Sequence, residues 1–191
     1  MNSTTLRPDD RLSRGEKLAF GLANLGNIPI MILVGTFLLI FYTDVVGLDP
    51  AAVATLFLVT RIIDGINDPI MGYLIDHLPR TRLGRFRTYL LIGAIVCAIN
   101  YILLWFGPLW VPAGKLVVAY ITYILIGITF DMMDIPLNSL IPAMTDHEKD
   151  RSSLSAIKGI FLALGGIAIG ITAPLVIANT ANQVNAYYIL I

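Results

Sequence analysis

The chain has 191 residues, of which 57% are hydrophobic and 14% charged, and its mean hydropathy is +0.78. A soluble domain carries about 25% charged residues and has no core of this size in which to hide so much apolar surface, so a soluble globular protein is excluded. The 13 basic and 13 acidic residues cancel, which leaves no net charge to recruit nucleic acid.

Residues 1–17, with Arg7, Arg11, Arg14 and Lys17 among them, read as a cytoplasmic amino-terminal segment. Leu18 to Thr43 then contains no charge. As a helix that stretch would reach about 39 Å at about 1.5 Å per residue, against a hydrocarbon core of roughly 30 Å. It is too long for the apolar region of a signal peptide and no small-residue cleavage site follows it, so it reads as a retained span. Apolar runs recur at Ala51–Ile75, Thr88–Leu109, Leu116–Met144 and Leu154–Ile177, and another begins near Ala186 and stops at Ile191. Open sheets would leave backbone groups unpaired in lipid, so the runs are expected to be helices. Residues 18–191 are therefore expected to form an all-α membrane bundle of five complete spans and the start of a sixth, within which the chain stops.

Basic residues cluster before the first span, between the second and third (Arg80, Arg82, Arg85, Arg87) and between the fourth and fifth (Lys149, Arg151), whereas the alternate loops hold only Lys115. The positive-inside rule then places the amino terminus in the cytoplasm. Trp105, Trp110 and Tyr101 fall toward the outer end of the third span, where an interfacial aromatic belt is expected.

Six charges interrupt the apolar runs: Arg61, Asp64 and Asp68 in the second, Asp131 and Asp134 in the fourth, and Lys158 in the fifth. Each costs roughly 2.5–3.5 kcal/mol at mid-membrane, so together on the order of 15–20 kcal/mol if unrelieved, and they are expected to face a polar interior. At about 100° per residue, Arg61, Asp64, Asn67 and Asp68 share one helical face, and Asp131 and Asp134 are a turn apart. Four acids against two bases leave two negative charges, which a bound Na⁺ or bound protons would neutralise. The competing reading makes these residues interhelical salt bridges, with Arg61 and Lys158 each taking one acid; it accounts for half of the acids. Pro69 and Pro136 free the carbonyls of Gly65 and Met132 from helical bonding, which makes these oxygens candidate cation ligands, or simply kinks satisfied elsewhere.

The segment Arg61-Ile-Ile-Asp64-Gly-Ile-Asn67-Asp68-Pro-Ile-Met-Gly72, the preceding Tyr42-Thr-Asp-Val-Val-Gly-Leu48, and Met133-Asp134-Ile-Pro136 with Ser139-Leu140 resemble the glycoside–pentoside–hexuronide:cation symporters of the major facilitator superfamily. The resemblance covers nearly the whole chain in matching order. It implies a bacterial inner-membrane secondary transporter working by alternating access, of which this chain supplies most of the amino-terminal six-helix half of a major facilitator fold, with a carboxy-terminal half as its missing partner. Its partners would be a small-molecule sugar, glycoside, pentoside or hexuronide, a coupling cation (H⁺ or Na⁺) and membrane lipid, with no nucleic acid and no other cofactor.

In sodium-coupled members the cation site matches Asp64, Asn67 and Asp68, and a fourth-helix threonine of the best-known member falls at Asp131. The added carboxylate tilts the expectation toward protons, because three ionised carboxylates in a low dielectric favour protonating at least one. The aspartate that holds a sugar hydroxyl pair matches Asp134, and a fifth-helix arginine matches Lys158, which keeps the charge without the planar fork. A first-helix aspartate falls at Ile28 and a sugar-stacking tryptophan at Asn138, so galactoside specificity is not implied; Asn24, Asn27 and Asn138 are candidate replacement hydrogen-bonding groups. Gly72, Asp76, Gly84 and Arg85 resemble the superfamily's cytoplasmic gate motif. Two other classes stay open at this point. One is a truncated or non-transporting membrane subunit. The other is an intramembrane aspartyl or metal-dependent enzyme, for which the Gly-x-Gly-Asp or second Asp-x3-Asp pattern is lacking.

Overall fold

The computed structural model describes residues 12–77 and 85–191, without the side chains of Ile28, Asp76, Arg85, Phe86 and Arg87. The helices are α1 (Arg14–Ile40), α2 (Pro50–His77), α3 (Arg85–Trp110), α4 (Lys115–Met144), α5 (Glu148–Asn179) and α6 (Gln183–Leu190). Five of these segments are long and apolar enough to cross a membrane, and no strand forms among the described residues. The chain is an integral membrane protein.

α1 starts before its apolar run because its first turn is capped. Ser13 accepts from the Glu16 N–H through its hydroxyl while the Glu16 carboxylate accepts from the Ser13 N–H at 2.9 Å. This capping box satisfies two end donors and starts α1 before the charge-free stretch. At the other end α1 widens into a π-helical turn, Phe41–Val45. The chain then reverses through Gly47, whose φ of +75° explains a glycine at that place in the motif. Lys115 donates to the Val46 carbonyl at 2.7 Å, tying the start of α4 to this corner. Asp49 accepts from the Ala52 N–H at 3.1 Å, and Pro50 opens α2.

α3 packs on α4, α1 on α5, and α2 on α4. The buried core gathers near the carboxy-terminal end of α1, where Phe41, Trp105 and Tyr187 meet with ring centroids 4.6–5.4 Å apart. Tyr42 is buried there and donates to the Leu104 carbonyl at 2.8 Å. Trp105 and Tyr101 are thus core residues, 0% and 7% exposed, and not the interfacial belt expected of them. One turn apart on α3, they share the face that packs inward, whereas Trp110 at the helix end is 57% exposed and can serve as an anchor. At the opposite end Lys17 of α1 pairs with Asp150 of α5 at 2.6 Å, above a smaller cluster of Phe20, Leu137 and Leu154.

Candidate functional site

Two polar clusters form around α4, because Asp131 and Asp134 are three residues apart and so lie on adjoining faces about 4.5 Å apart along the axis. The first faces α2. Asn67 donates to Asp131 Oδ2 at 2.9 Å, and Asp68 and Asp64 both lie close enough to Asp131 to interact with its charge. The Asp64 carboxylate is seated against Gly127, where a Cβ would fall 2.6 Å from its Oδ1. Arg61, Asp64, Tyr123, Gly127, Met31 and Val34 line a cavity of about 40 Å³, room for water-sized guests and not for a sugar. Of the four residues expected to face one interior, Asp64 and Asn67 are half-buried against α4, whereas Arg61 and Asp68 are exposed.

Arg61 is the loosest of them. Its guanidinium stands 4.0 Å from Asp64 and its side chain is 67% exposed. Among the described residues no set of three or more carboxylates, imidazoles or thiols is gathered closely enough to hold a metal ion. The acids face one another without closing on a common centre.

The second cluster is a relay joining three helices. Asn27 of α1 donates to Asp134 Oδ1 at 2.7 Å, Asn138 donates to Asp134 Oδ2 at 2.7 Å, and Lys158 of α5 donates to Asn138 Oδ1. Asn138 lies four residues after Asp134, directly above it on the same helical face, so its amide reaches the carboxylate below and the ammonium beside it. Lys158 thus contacts an amide oxygen in place of an acid, which removes the direct Lys158 salt bridge from the competing reading. Asn27 is 4% exposed, and its Oδ1 is buried with no partner among the described residues. It is an acceptor left unsatisfied inside the bundle.

Asn24 does not join the relay: it is 1% exposed and its amide donates to the Phe20 carbonyl one turn back in α1. Of the two carbonyls freed by proline, that of Met132 is not open to a cation, because it lies against the α3 backbone at Gly93. The side chains of the expected gate residues Asp76 and Arg85 lie outside the described residues, as do Arg80 and Arg82. Gly127 and Tyr123 were not singled out from the sequence. A glycine one turn before Asp131 was the available signal for the first; a tyrosine in an apolar run gives none.

A profile of the MFS/sugar transport protein family matches residues 19–191. The chain belongs to this family of the major facilitator superfamily, within its glycoside–pentoside–hexuronide:cation symporters. It is 39% identical over 172 residues to a Bacillus subtilis protein named "Uncharacterized symporter YnaJ", a match covering 90% of this chain and 37% of that one. It is 38% identical to the isoprimeverose transporter of Lactiplantibacillus pentosus, over 84% of this chain and 34% of that protein. With the putative glycoside/cation symporter YagG of Escherichia coli it shares 36% identity, over 87% and 36% of the two chains. The chain spans about a third of the length of these relatives.

Proposed function

We propose that this chain is the amino-terminal part of a cation-coupled symporter that carries a glycoside, pentoside, hexuronide or other sugar across a bacterial inner membrane by alternating access, and that it is not an enzyme. The observation that carries the reading is the pair of adjoining clusters on α4: an acidic one shared with α2 and a hydrogen-bonding one shared with α1 and α5. A carboxylate flanked by amides suits the paired hydroxyls of a sugar, whereas grouped carboxylates suit a cation. Substrate sites in such folds lie between two bundles near the midplane. A second bundle, carboxy-terminal to this one, completes the cavity in this reading, and the amino terminus is cytoplasmic with the lipid-facing helices anchored as the positive-inside rule requires.

The coupling ion is proposed to be the proton in preference to Na⁺. Asp131 adds a third carboxylate to Asp64 and Asp68, and one Na⁺ among three ionised acids leaves a net charge of −2 in a low dielectric. The test is uptake of labelled glycoside by vesicles containing the complete transporter, from mildly acid to mildly alkaline pH, with and without Na⁺. Steep dependence on the proton gradient and a weak response to Na⁺ are expected, with Asp131→Thr moving the balance toward Na⁺. Strong Na⁺ stimulation at every pH would overturn the proton assignment. Failure of any sugar to accumulate on either gradient would overturn the symporter reading.

A further inference from the structure

The two clusters on α4 have a common support on a helix that contributes no candidate ligand. Gly93 of α3 is buried, and a Cβ there would fall 2.8 Å from both the carbonyl carbon and the oxygen of Met132 and 3.0 Å from the Met133 nitrogen. These are backbone atoms, so no side-chain rotation could relieve the overlap; α3 and α4 would have to separate. The peptide concerned lies between Asp131 and Asp134. It is also the peptide whose carbonyl Pro136 deprives of its helical N–H, so the local helix geometry that would resist displacement is weakened there.

We propose that Gly93 is a positioning residue that sets how far α4 advances toward α1 and α2, and so presents Asp131 to Asn67 and Asp134 to Asn27 at one setting. Its consequence for transport rests on the symporter reading; its effect on the two carboxylates does not. A methyl group at position 93 pushes the Met132 peptide, and both acids move with it. Misplacement of binding groups by about 1 Å costs up to roughly 100-fold. Gly107, on the same pair of helices, is the natural control, since a Cβ there would meet one side-chain atom, Val118 Cγ1 at 3.0 Å, and no backbone atom.

The experiment compares Gly93→Ala and Gly107→Ala in the complete transporter. Dicyclohexylcarbodiimide, an apolar reagent for protonated carboxyls, is used to label the purified proteins, and labelling at Asp131 and Asp134 is read by mass spectrometry. In parallel, half-saturating concentrations of glycoside and of coupling ion are measured in vesicles. Gly93→Ala should change labelling at both acids and raise both half-saturating concentrations roughly 10- to 100-fold, while Gly107→Ala changes neither. Unchanged labelling in Gly93→Ala, or equal effects of the two substitutions, would overturn the proposal. If Gly93→Ala does not reach the membrane, the same labelling is read on Gly93→Ala synthesised cell-free into detergent: altered labelling at both acids supports the positioning role and unaltered labelling refutes it. A wild type that carries no glycoside defeats the symporter reading and leaves the labelling comparison to decide Gly93.

Discussion

Replacing Asn138 by leucine, close to it in size, removes both links of the relay between Asp134 and Lys158. Asp134 keeps the Asn27 amide at 2.7 Å and loses the Asn138 amide, also at 2.7 Å. A hydrogen bond to a charged group contributes about 1.5–3 kcal/mol, which corresponds to roughly a 10- to 150-fold change in an equilibrium constant. The ammonium of Lys158 loses its acceptor at the same time. Its nearest remedy is to swing onto the vacated Asp134 oxygen, where it competes with substrate hydroxyls. Glycoside affinity of Asn138→Leu should therefore fall by roughly 10- to 150-fold. Asn138→Asp keeps an acceptor for Lys158 but turns an acceptor toward Asp134 in place of a donor, so it should lose affinity as well. Titration of labelled glycoside against the purified complete transporter measures both, with thermal unfolding in detergent run alongside to detect misfolding. Wild-type affinity in a properly folded Asn138→Leu would refute the view that the relay orients Asp134.

Asp68→Asn should abolish accumulation against a gradient while leaving some downhill sugar flux, measured as counterflow in vesicles; normal accumulation would remove Asp68 from the cation site. Gly127→Ala places a methyl carbon 2.6 Å from Asp64 Oδ1, close enough to force the carboxylate aside, and should weaken the response to the coupling ion more than the affinity for glycoside. Lys17→Met breaks the 2.6 Å pair with Asp150 that joins α1 to α5 and should lower the unfolding midpoint, an effect expected to vanish in the Asp150→Asn background. The 191-residue chain expressed alone should insert but bind no glycoside, because one bundle presents only one wall of a cavity; saturable binding abolished by Asp134→Ala would contradict this.

The sequence alone settled the membrane character and the spans, because a bilayer requires every backbone group to be paired within long apolar helices and so writes itself into composition. It also singled out the intramembrane charges on α2 and α4, since charges in lipid are too costly to be incidental. What it left open was partnership. Nothing in the spacing distinguishes a Lys158 that neutralises Asp134 from one that reaches it through Asn138, because the choice depends on how closely α5 approaches α4. Asn24 and Asn27 are equivalent by sequence, three residues apart on one helix, yet one bonds back to its own backbone and the other crosses to α4. Trp105 looked interfacial by its position along the third span, and only the packing of α1, α3 and α6 showed that its face points inward. The freed carbonyl of Met132 was legible from Pro136, but its direction was not: a sequence specifies where a helix loses a hydrogen bond, and the neighbouring helix determines what that oxygen meets.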